Sequence, residues 1–89
     1  MPTISNEKKK KISEQILYYL YSIFPEQIFT SEIAKEMARD EEFIKILLKE
    51  LERKNLVIKI NKNPQGSNYA LRLRWRISNK AYEIYQKNQ

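Results

Sequence analysis

Hydrophobic positions fall into four helical stripes and one alternating run. Ile12, Ile16, Tyr19, Leu20 and Ile23 recur at helical spacing, and the pattern predicts a first helix from about Asn6 to Phe24, ended by Pro25. Leu17, Tyr18, Tyr21 and Phe24 make its second half apolar nearly all round. A surface helix needs only one apolar face, so the surplus points either to burial on several sides within the chain or to a homodimer contact. Ile28-Phe29 reads as a short extended link. Thr30 or Ser31 is then expected to cap a second helix reaching Ala38, with Ile33, Ala34 and Met37 inward. Arg39-Asp40 reads as a tight turn, with Asp40 capping a third helix to about Lys54. Ile44, Leu47, Leu48 and Leu51 lie at the spacing of its buried face. Leu56 to Ile60 is a β-branched run, and Asn61 to Asn68 is a turn cluster holding the chain's single glycine, Gly66. From Tyr69 to Ile77 the chain alternates. Leu71, Leu73, Trp75 and Ile77 take one face, and Arg72, Arg74 and Arg76 the other. Ser78 or Asn79 starts a short last helix through Tyr85.

Charge sharpens this outline. The net charge is +6 over 89 residues, and the stretch 55–77 holds five cations and no acid. The remaining segments nearly cancel. A charge concentrated on one hairpin, beside helices of balanced charge, suits a surface that lies against a polyanion, duplex DNA first of all. The competing reading is an amphipathic hairpin with a solvated outer face.

Composition closes off other classes. Cysteine and histidine are absent, which removes disulfides, thiolate chemistry, and the commonest metal ligand and general base. No cofactor or metal is expected. Asp40 with Glu42 makes a poor metal pair, being neighbours on a helix start with no third ligand at matching spacing. An enzyme is therefore not expected. No run of residues approaches a membrane span, and the expectation is a single cytoplasmic domain over residues 1–89 without a separate effector-binding domain.

The order helix, helix, tight turn, helix, hairpin, helix resembles the winged helix-turn-helix family, and within it the MarR-like regulators. Three stretches carry the likeness. They are Phe29-Thr30-Ser31-Glu32-Ile33-Ala34-Lys35-Glu36-Met37, then Leu48-Lys49-Glu50-Leu51-Glu52-Arg53-Lys54-Asn55-Leu56-Val57, then Trp75-Arg76-Ile77-Ser78-Asn79-Lys80-Ala81. The resemblance covers about residues 29–85 and implies an α+β winged helix-turn-helix. That fold has three helices, a two- or three-stranded β-hairpin wing and a short C-terminal helix. It places the helix-turn-helix at residues 30–54, the wing at 55–77, and the terminal helices at 6–24 and 78–88.

The function implied is a homodimeric, double-stranded-DNA-binding transcriptional regulator, with the third helix in the major groove. Lys59, Lys62, Arg72 and Arg74 would neutralise phosphates, with Arg76 nearer the sheet base. Asn63, Gln65 and Asn68 at the wing tip would reach phosphate or a minor-groove edge. Lys45 and Lys49 are the cationic candidates on the third helix, and Thr30 and Ser31 would bind one more phosphate at the start of the second. The dimer would form through Tyr18, Tyr21, Phe24, Tyr82 and Tyr85.

The third helix departs from a plain DNA reader. Asp40, Glu41 and Glu42 stand together at its front. Acids in a first turn complement the helix dipole, by about 0.3–1 kcal/mol each, which is reason enough for them. Glu42 is also a candidate acceptor for the amino group of cytosine. Phe43 and Ile46 are expected off the buried face, where they would meet thymine methyls or form a patch for a protein partner. The lysine run Lys8 to Lys11 is disfavoured at a helix N-terminus, so it reads as either a solvated end or a phosphate contact. A winged-helix protein-interaction module in a transcription or replication assembly is the second function reading.

Overall fold

A computed structural model describes residues 6–60 and 73–88. In chain order the elements are α1 (Asn6–Ser22), β1 (Ile28–Phe29), α2 (Thr30–Met37), α3 (Glu41–Arg53), β2 (Val57–Ile60), β3 (Arg74–Ile77) and α4 (Asn79–Lys87). Three helices bury most of the stripe their spacing predicts: Ile12, Ile16 and Leu20 on α1, Ile33 and Ala34 on α2, and Ile44, Leu47, Leu48 and Leu51 on α3, while Tyr19, Ile23 and Met37 are half-buried. These side chains meet Val57, Trp75 and Ile77 of the sheet in one core. Full burial of a large apolar side chain is worth about 1.5–3 kcal/mol, and Trp75 is the largest residue that is wholly buried.

The extended link before α2 is a strand. The sheet has three antiparallel strands in the order β1-β3-β2, with Ile28 opposite Trp75 and Phe29 opposite Arg74. This corrects the expected start of α2. Its N-cap is Phe29, which has no side chain to offer, and Thr30 is the first helical residue. The cause is the strand: β1 runs straight into α2, and the Thr30 N–H is taken by the carbonyl of Leu73, the residue before β3, at 3.1 Å. Helix α1 stops at Ser22, two residues earlier than its apolar pattern suggests.

The turn of the helix-turn-helix is built from local bonds. Ala38 takes the left-handed conformation at φ 55°, the Arg39 N–H returns to the Ala34 carbonyl at 2.9 Å, and α2 is closed off. That conformation costs a non-glycine residue roughly 1–2 kcal/mol. Asp40 then caps α3, its carboxylate accepting from the Phe43 N–H at 3.2 Å. Beyond α3, Asn55 is also left-handed, at φ 63°, and the Leu56 N–H bonds the Leu51 carbonyl at 2.9 Å, turning the chain into β2. Ser78 locks the other side of this corner. Its hydroxyl donates to the Asn55 carbonyl at 2.9 Å and accepts from the Ala81 N–H at 3.1 Å, so one side chain caps α4 and ties it to the end of α3.

Candidate nucleic-acid interface

Two helices joined by the Ala38–Asp40 turn, with a hairpin beside them, make the winged helix-turn-helix. Helix α3 is its second helix, the one this fold presents to a major groove. Ile44, Leu47, Leu48 and Leu51 face the core, so the opposite face carries Glu42, Ile46, Lys49 and Arg53, all exposed. Lys45 sits on the flank, half-buried. Ile46 lies in the middle of this outer stripe with 53% of its surface exposed. Phe43 differs from expectation. It is half-buried and packs against the core, and only Ile46 of the pair is left as an exposed apolar residue.

The hairpin splits its cations between two faces. Cross-strand partners in an antiparallel pair share a face. Val57 stands opposite Ile77 and Lys59 opposite Trp75, so Lys59 lies on the side of the sheet that packs on the helices. Ile58 stands opposite Arg76 and Ile60 opposite Arg74, so both arginines lie on the outer side with two isoleucines between them. Among the described residues, strand β2 is an edge strand. Lys62, Asn63, Gln65, Asn68 and Arg72 lie outside the described residues.

Arg76 is held by its own chain. Its guanidinium donates to the Ile77 carbonyl at 2.9 Å and to the Asn79 side-chain oxygen at 3.3 Å, and it lies 5.9 Å from the centre of the Phe24 ring. It thus joins the wing base to α4 and to the end of α1. Thr30 is likewise engaged within the chain. It is only 5% exposed, accepts from the Trp75 indole N–H at 2.7 Å and donates to the Leu73 carbonyl at 3.4 Å, which leaves nothing of its hydroxyl for a phosphate. Ser31, beside it in the first turn of α2, is exposed.

The aromatic residues of the terminal helices pack first on one another. Phe24 stacks on Tyr82 with ring centres 4.0 Å apart, and Tyr21 lies 5.2 Å from Tyr82 and 5.4 Å from Tyr85. Burial, with a smaller contribution from Glu14, holds the Tyr85 phenol above its usual range. Tyr18 stands at the edge of this group, 6.3 Å from Tyr21 and 60% exposed. All five residues expected at a dimer contact therefore have ring neighbours within the chain, and four of them are half-buried, which accounts for much of the apolar surplus on α1.

Sequence reasoning missed two links, Thr30 to Trp75 and Arg76 to Asn79 and Phe24. A buried tryptophan needs an acceptor for its N–H, and that need was the one available signal for the first. Among the described residues, no helix is long and apolar enough to cross a membrane, and no three acidic side chains group to hold a metal.

No protein-family model and no curated protein sequence matches the chain. Solved structures do. A MepR–DNA complex from S. aureus superposes with a TM-score of 0.72 at 23% identity, over 94% of this chain and 60% of that one. Lactococcus lactis ZitR in apo form superposes with a TM-score of 0.69 at 17% identity, over 92% of this chain and 57% of that one. The Zα domain of Carassius auratus PKZ, in complex with Z-DNA, superposes with a TM-score of 0.61 at 22% identity, over 78% of this chain and 95% of that one. The chain thus spans under two thirds of the MepR and ZitR chains and nearly all of the Zα domain. Its fold is the α+β winged helix-turn-helix that these three structures share.

Proposed function

We propose that this chain is a double-stranded-DNA-binding transcriptional regulator that works as a homodimer. Helix α3 enters the major groove, and the basic hairpin lies on the flanking backbone or in the minor groove. One observation carries the reading: α3, with its outer face exposed, packs against β2, and the sequence stretch 55–77 to which β2 belongs holds five cations and no acid. The fold it shares with MepR, which has been solved on DNA, supports the same reading. Lys59 and Arg74, with Lys62 and Arg72 further along the hairpin, supply the charge, and Lys49 and Ser31 add contacts from the helices. Asn63, Gln65 and Asn68 meet phosphate or a minor-groove edge from the wing tip. The dimer forms through the terminal helices, with Tyr18 as the anchor left exposed within one chain.

A second reading has one observation in its favour. Ile46 is an exposed apolar residue behind three acids, Asp40, Glu41 and Glu42, a mixture that also suits a protein partner. Fluorescence anisotropy with duplex DNA across a salt series separates the two. DNA binding predicts that log affinity falls linearly with log salt, by about 0.9 for each phosphate neutralised. Weak binding with a flat salt response would reduce the hairpin to a solvated face and favour a protein partner.

A further inference from the structure

The outer face of α3 carries an apolar centre. Residues on a helix advance by about 100°, which sets Ile46 opposite the buried Ile44, Leu48 and Leu51. Solvent-facing positions at the middle of a polar stripe are ordinarily polar, as Glu42, Lys49 and Arg53 are here. Core packing does not explain Ile46, which is 53% exposed. Helix propensity does not explain it either, because isoleucine forms helix less readily than the Lys, Glu or Arg around it. Phe43, its apolar neighbour, is drawn into the core, so Ile46 presents an isolated aliphatic tip and not a broad patch.

The major groove offers one apolar group, the C5-methyl of thymine. Glu42 lies one turn before Ile46 on the same face, exposed and able only to accept hydrogen bonds. A carboxylate there suits the N4 amino group of cytosine and is repelled by the N7 and O6 acceptors of guanine. Four residues of helix rise about 6 Å, while base pairs are about 3.4 Å apart, so the two side chains reach bases within about two steps of each other. Both stand in the first half of α3, the part of a recognition helix that meets base edges. The geometry points to a specific reading head: Ile46 packs on a thymine methyl, and Glu42 accepts from a cytosine amino group no more than about two base pairs away. This rests on α3 entering the major groove as proposed above. It divides the labour, with the wing cations holding phosphates and the acid–aliphatic pair choosing the sequence.

The test uses the full chain and the duplex it selects from a random pool. Each thymine of that duplex is then replaced singly by uracil, which removes only the methyl. One replacement is expected to weaken the wild type about fourfold, the worth of one buried methyl-sized group. The same replacement should not affect Ile46→Ala, a change at an exposed position to a better helix former, so the variant folds. Glu42→Gln should shift the preferred base near that thymine from cytosine to adenine. Indifference of the wild type to uracil at every thymine overturns the inference, as does an undiminished uracil penalty in Ile46→Ala. If binding remains steeply salt-dependent in those cases, the DNA-binding reading stands and only the reading head fails. A flat salt response in the wild type overturns both.

Discussion

At the scale of single residues, local roles were legible and distant ones were not. Asp40 was readable as a cap because its partner, the Phe43 N–H, is three residues away in sequence. The Thr30–Trp75 bond joins residues 45 apart, and no local pattern displays it. A threonine at a helix start looks like a cap or a phosphate ligand until the strand that occupies it is known. Thr30→Val keeps the shape and removes the acceptor, stranding a buried indole N–H at a cost of about 1–3 kcal/mol. Urea denaturation should show that loss. The DNA affinity of the folded protein and its salt dependence should stay as in the wild type. A changed salt slope with unchanged stability would return Thr30 to the phosphate contacts.

At the scale of elements, the helices were read well and the wing only in part. The helical stripes of α1, α2 and α3 leave little freedom in which face is buried. Strand β3 was equally clear, because Trp75 and Ile77 alternate with Arg74 and Arg76. Strand β2 does not alternate: Val57, Ile58 and Ile60 are all apolar, so the side taken by Lys59 depends on register alone. Pairing with Trp75 puts Lys59 on the helix side, while Arg74 stands on the outer side; in the proposed complex the helix side is the one turned to the duplex. Lys59→Ala is therefore expected to reduce the salt slope by nearly one for each subunit, and Arg74→Ala to reduce it less. An equal or larger reduction from Arg74→Ala would put the phosphates on the outer face of the sheet.

At the scale of the whole molecule, the charge asymmetry was the most legible feature, since net charge is a sum and needs no geometry. The apolar surplus on α1 was harder. Periodicity cannot tell a side chain buried by its own chain from one buried by a second copy, and Tyr21, Phe24, Tyr82 and Tyr85 prove to fill one another's surface. Of the terminal helices' large apolar residues, Tyr18 and Ile84 remain exposed, and the proposed dimer would use them. Two-fold symmetry would give two half-sites about one helical turn, or a multiple of it, apart. Interference footprinting on the selected duplex reads groove, backbone and symmetry together. Methylation at guanine N7 should disrupt binding in two half-sites at that spacing, with hydroxyl-radical protection of the backbone flanking each. Backbone protection without any major-groove interference would contradict the placement of α3.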